Sequence, residues 1–114
     1  MSNQHLTLDA LCQRHLDSQV VVESFVQTLA AGLDLTLRDL RSFTFSNGST
    51  FGPGITTVGV LTESSIVVHT APERGMLNLD VFSCKPFDAA WVKSTLNLSF
   101  SVRRVLLNRV VTRH

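Results

Sequence analysis

The sequence predicts an α+β fold, a two-layer αβ sandwich with a largely antiparallel sheet and two helices on one face. Three observations lead there. Several segments alternate apolar and polar residues with the two-residue period of half-buried strands. Two other segments carry apolar residues at helical spacing, each behind a capping residue. The order along the chain is strand, helix, strands, helix, strand, a pattern that packs helices on one side of a sheet. With 114 residues the chain can build one core and not two, so residues 1–114 are expected to form a single domain.

In order, His5 to Leu11 alternates, with Leu6, Leu8 and Ala10 on one face, and reads as a first strand. Cys12 to Leu16 reads as a connection. Asp17 or Ser18 can cap a helix whose stripe runs Val21, Phe25, Leu29 and Leu33, flanked by Val22, Val26 and Ala30. Gly32 is expected to end it. Leu35 to Phe45 is strand-like, but Leu40 breaks the parity of Leu35, Leu37, Phe43 and Phe45, which predicts a bulge near Asp39. Ser46 to Gly54 is a polar, Gly-rich loop with Phe51 alone in it. Ile55 to Thr62 and Ser65 to Thr70 are strands around a corner at Glu63-Ser64. Met76 to Cys84 is another strand, with Leu77, Leu79 and Val81 facing one way. A second helix starts at Asp88 with Ala89, Val92 and Leu96 on one side and Trp91 on its flank. Val102 to Thr112 is a last strand, punctuated by Arg103, Arg104 and Arg109, with Arg113 following, as edge strands often are.

Composition removes several classes of function. A formal net charge of +1 supplies no field for nucleic acid or an anionic membrane, so neither is expected as a partner. No apolar run approaches the length of a membrane span. The start, Met1-Ser2-Asn3-Gln4-His5, lacks a signal pattern, which points to a cytoplasmic protein. The cysteines Cys12 and Cys84 make no disulfide framework, and Cys84 with His69 is two ligands short of a structural zinc site, so no metal is expected.

The stretch from Thr62 to Glu73 carries the chemistry. A serine in a corner with a histidine further along could be a nucleophile and its base. Taken alone it could equally be a hairpin with an ordinary histidine, since serine is common in turns. Three linked segments weigh the balance towards chemistry: Gly54-Ile55-Thr56 running into Leu61-Thr62-Glu63-Ser64, then His69-Thr70-Ala71-Pro72-Glu73, then Asp80-Val81-Phe82-Ser83-Cys84. Together, and with His5-Leu6 near the start, they resemble the S-adenosylmethionine decarboxylase family in its small bacterial and archaeal form.

The resemblance implies an αβ sandwich that works as a homodimer, and self-cleavage between Glu63 and Ser64. The Ser64 hydroxyl would attack the Glu63 carbonyl, and elimination and hydrolysis would leave a pyruvoyl group at the new N-terminus. That group is a ketone which condenses with a substrate amine and accepts the electron pair as carbon dioxide departs, the role pyridoxal plays elsewhere. By the same resemblance His69 is the processing histidine, Thr56 a hydroxyl assisting the site, and Cys84 the donor that protonates the substrate α-carbon. Glu73 falls on a substrate-associated glutamate. Phe51, matched through a one-residue deletion after Pro53, falls on an aromatic that stacks on adenine. Without the resemblance these would read as a small buried cysteine, a strand histidine, a strand-forming threonine and a solvated glutamate.

Two positions depart from the family pattern: Ser65 stands for a histidine and Ala71 for an aromatic ring. Losing the ring removes one adenine platform. The expected function is therefore decarboxylation of S-adenosylmethionine in polyamine synthesis, with arginine or ornithine as rival small-molecule substrates. A non-catalytic regulatory subunit is the alternative of another class. Ser64, His69 and Cys84 are expected to converge at one end of the sheet.

Overall fold

Alternation decides which side of the sheet each residue joins. The structure, a computed structural model, describes residues 2–46 and 52–113; Phe51 lies outside them. Six strands, β1 (Asn3–Cys12), β2 (Leu37–Phe45), β3 (Gly54–Leu61), β4 (Ser64–Ala71), β5 (Met76–Ser83) and β6 (Val102–Arg113), form one sheet in the order β2-β3-β4-β5-β1-β6. Every neighbouring pair is antiparallel. The helices α1 (Gln19–Gly32) and α2 (Ala89–Phe100) pack on one face, and a single 3₁₀ turn, Pro72–Arg74, links β4 to β5. This is the αβ sandwich that the element order predicts.

Local chemistry sets the boundaries. The Ser18 Oγ accepts from the Val21 N–H at 3.2 Å and starts α1, so Ser18 and not Asp17 is the cap. Asp88 caps α2 by accepting from the N–H groups of Ala90 and Trp91. Cys12 completes β1 instead of opening the connection, and β2 begins at Leu37, two residues after the expected Leu35. The irregularity near Asp39 is present as a register shift between Leu37 and Asp39, which leaves Arg38 as the extra residue of a bulge.

The core lies between the sheet and the helices. Leu6, Leu8, Ile66, Val68, Leu77, Leu79 and Val81 meet Val22, Phe25, Val26, Leu29, Val92, Leu96 and Phe100, all essentially dry. Phe25 and Phe100 meet edge to face at 5.4 Å and join the two helices. Gly59 lets α1 approach β3 closely, because a β-carbon there would lie 2.7 Å from Val26 Cγ1. Among the described residues no helix covers the opposite face. That face presents His5, Thr7 and Asp9 of β1, Thr56, Val58 and Val60 of β3, Ser65, Val67 and His69 of β4, and Asn78, Asp80 and Phe82 of β5. Among the described residues no helix is long and apolar enough to cross a membrane.

Burial separates the two free thiols. Cys12 is buried and desolvation pushes its pKa up to about 11 from the ordinary 9.0, whereas Cys84 is half-buried. The buried neutral thiol favours folding fully below the ordinary pKa, and that contribution is lost as pH rises from about 9 towards 11. Iodoacetamide at pH 8 should therefore label Cys84 in the native protein and Cys12 only after denaturation, as read by peptide mass mapping. The urea midpoint should fall above pH 9.

Candidate functional site

The β3–β4 connection is a two-residue turn, Thr62-Glu63, with Leu61 paired to Ser64 across it. Glu63 takes φ 58°, a left-handed conformation that glycine or asparagine usually fills in turns of this kind. Neighbours hold the corner. The Thr62 N–H donates to the Thr36 carbonyl at 3.2 Å, and Arg38 Nε donates to Thr62 Oγ1 at 3.0 Å. The residue after the strained one is Ser64.

Ser64 begins β4 with the parity of Ile66 and Val68, so its side chain points to the helix-covered side, where it is 8% exposed. Its Oγ accepts from the Cys84 backbone N–H at 3.1 Å. Cys84 follows the last residue of β5, whose Phe82 pairs with Ser65, so the strand pairing itself brings Cys84 to the corner. Sequence reasoning brought these two residues together through the cysteine thiol. The direct contact is through the main chain.

His69 is elsewhere. It lies five residues along β4, about 17 Å at strand rise, and the odd step turns it to the helix-free face. The expected convergence of Ser64, His69 and Cys84 within one chain does not occur. His69 groups instead with Thr56, its register partner on β3, whose Oγ1 lies 2.9 Å from His69 Nδ1. Glu73, in the 3₁₀ turn just beyond β4, belongs to the same end: its carboxylate comes within 3.0 Å of where a β-carbon on Gly52 would sit. Gly52 follows Phe51, the expected stacking residue, which falls outside the described residues.

Sequence reasoning did not find the polar centre of the helix-free face. His5 Nε2 lies 2.9 Å and 3.0 Å from the two oxygens of Asp80, its ring edge-on to Phe82 at 6.0 Å. Beside them Asn78 Nδ2 donates to Asp9 Oδ1 at 2.6 Å. The signal was present as polar residues at every second position of β1 and β5, but only the register pairs them. Among the described residues no three of His, Cys, Asp or Glu gather as a metal would require. A cleft of about 460 Å³ between the end of α1 and the start of α2, lined by Lys85, Phe87 and Trp91 among others, contains none of the candidate residues.

The corner thus joins a serine to the main chain of a cysteine on a six-stranded αβ sandwich. The family model described as S-adenosylmethionine decarboxylase matches residues 4–113. The chain belongs to the S-adenosylmethionine decarboxylase family. Similar curated proteins are named S-adenosylmethionine decarboxylase proenzyme. That of Thermomicrobium roseum is 31% identical over 81 residues, covering 71% of this chain and 66% of the relative. That of Methanococcus aeolicus is 38% identical over 69 residues, covering 60% and 55%. The matched part thus spans just under two thirds of the first of these relatives and about half of the second. The crystal structure of the adenosylmethionine decarboxylase from Aquifex aeolicus shares the fold, with a TM-score of 0.75 and 20% identity over 96% of this chain and 88% of that one.

The left-handed Glu63 gives a test of the corner. In a Ser64→Ala background, Glu63→Gly should stabilise the chain by up to about 1 kcal/mol, because glycine adopts positive φ without a β-carbon clash. Thermal midpoints of the two variants check this: a rise of a few degrees is expected.

Proposed function

We propose that this chain is a self-cleaving, pyruvoyl-dependent α-decarboxylase of S-adenosylmethionine, acting in polyamine synthesis. The observation that carries the reading is Ser64 placed directly after the left-handed Glu63, with its Oγ held by the Cys84 main chain. The residues fit formation of the group from within. The Ser64 Oγ bonds to the Glu63 carbonyl carbon, the Glu63–Ser64 amide bond breaks, and the hydroxyl proton ends on the freed amine. Loss of the Ser64 α-proton then expels the Glu63 carboxylate from Cβ, leaving dehydroalanine. Tautomerisation and hydrolysis release ammonia and give the pyruvoyl N-terminus of residues 64–114. The pyruvoyl group supplies an electron sink for the pair released as carbon dioxide leaves the substrate.

The remaining residues bind and move protons. Cys84, fixed beside Ser64 by its own N–H, returns a proton to the substrate α-carbon from Sγ. Thr56 fixes the His69 ring through Nδ1, which leaves Nε2 for proton transfer during cleavage. Glu73 offers a carboxylate to ribose hydroxyls, and Phe51 stacks on adenine. The same reading puts the protein in the cytoplasm, where its two thiols stay reduced.

Since His69 and Ser64 sit about 17 Å apart on opposite faces, one chain cannot bring them together. A homodimer would bring them nearer: in a two-fold arrangement centred on Val67 with the helix-free faces together, His69 of one copy would lie opposite Ser65 of the other, against the main chain beside the Glu63–Ser64 bond, while the Ser64 Oγ stays on the covered side. Supporting this, the helix-free face exposes Phe43, Phe45, Val60 and Leu107, each more than two-fifths accessible.

Denaturing mass spectrometry tests the reading directly. Purified protein should separate into residues 1–63 and 64–114, and Ser64→Ala should stay whole. The processed protein should then release carbon dioxide from S-adenosylmethionine in a panel that includes arginine, ornithine and lysine. Release from arginine or ornithine alone would make the missing ring at Ala71 the mark of a different substrate. A persistently intact wild-type chain would favour a non-catalytic subunit. The dimer has its own test, in which inactive Ser64→Ala and His69→Ala chains are co-expressed. Mixed dimers contain one intact site, so about a quarter of wild-type activity should return; no recovery would refute sites shared between subunits.

A further inference from the structure

Among the described features, one side chain outside the candidate site is aimed at the Thr62-Glu63 corner. Arg38 is the extra residue of the β2 bulge, between Leu37, which pairs with Leu61, and Asp39, which pairs with Val60. Bulges near active sites often re-aim a side chain, and this one sends an exposed arginine from the sheet edge to Thr62, where Nε donates to Oγ1 at 3.0 Å. The same segment also holds the Thr62 backbone through the Thr36 carbonyl. The next charges along β2 are occupied with each other, Arg41 Nε lying 2.8 Å from Asp39 Oδ2, so Arg38 is the cation committed to the corner.

We propose that Arg38 is a positioning residue for cleavage of the Glu63–Ser64 bond. The inference rests on the self-cleavage reading above. Attack requires Ser64 Oγ to approach the Glu63 carbonyl carbon, and two anchors define that approach. The Cys84 N–H holds Oγ from the β5 side. Arg38 and the Thr36 carbonyl hold Thr62 from the β2 side, and the peptide joining Thr62 to Glu63 then cannot swing to relieve the positive φ. Releasing Thr62 lets Glu63 relax towards an ordinary conformation and turns its carbonyl away from the hydroxyl. No co-reactant is needed, because Oγ–C forms, C–N breaks, and the hydroxyl proton passes to the departing nitrogen.

The experiment follows cleavage of freshly folded precursor on denaturing gels. Arg38→Ala should slow cleavage about tenfold, Thr62→Val should slow it similarly, and the double variant should be no slower than either alone, since both break one contact. Arg38→Lys should restore most of the rate. In the uncleavable Ser64→Ala background, Arg38→Ala should leave the thermal midpoint unchanged. If wild type cleaves and Arg38→Ala keeps pace with it, the inference is overturned and self-cleavage stands. It is also overturned if Arg38→Lys is as slow as Arg38→Ala or if the midpoint falls in step with the rate. If wild type never cleaves, the self-cleavage reading fails and this inference with it.

Discussion

A two-residue turn sets everything that follows it in this sheet. With Thr62-Glu63 between them, Leu61 must pair with Ser64, and every later pair of the β3–β4 ladder is then fixed, down to Thr56 with His69. A longer turn would shift that register and turn the histidine towards the helices. The short turn forces a left-handed conformation onto Glu63, a residue with no chemical preference for it. The same geometry that fixes the ladder therefore concentrates strain on one peptide unit. The pairing of Thr56 with His69 and the left-handed φ of Glu63 have one physical origin.

Much of the architecture was legible because burial writes a period into the chain. Leu6, Leu8 and Ala10, or Leu77, Leu79 and Val81, announce strands with one dry face, and the stripe through Phe25 and Leu29 announces a helix over them. Leu40 out of parity gave away the bulge. Ser64, His69 and Cys84 became candidates through linked motifs, but the motifs did not carry their arrangement. Adjacent strands were expected to bring all three together, although the odd step from Ser64 to His69 reverses the face. The contact of His5 with Asp80 and the aim of Arg38 were illegible for another reason: both depend on register between distant segments, which no local pattern encodes.

The two faces of the sheet obey different physics. On the covered side, apolar side chains exclude water, and the few polar groups are locked to partners: Thr57 Oγ1 meets Ser42 Oγ at 2.8 Å, and Ser42 in turn donates to Glu23 at 2.6 Å. On the open side, polar, apolar and aromatic residues mix, and contacts such as His5 with Asp80 remain two-fifths exposed, where solvent competes for them. Such a surface contributes little to folding the single chain. Its mixture of rings, methyl groups and paired charges is the kind of surface that gains by losing water to a complementary neighbour.

Strand order has a bearing on what a break at the corner would do to the molecule. Residues up to Glu63 supply β1, β2, β3 and α1; those from Ser64 supply β4, β5, β6 and α2. The two halves are interleaved, because β1 lies between β5 and β6. Of the five ladders in the sheet, three join one half to the other: β3 with β4, β1 with β5, and β1 with β6. Severing one peptide bond would thus leave two polypeptides woven into a single body, with the whole core still shared between them. The contacts that would hold the two pieces together are sheet ladders and core packing, not that one bond.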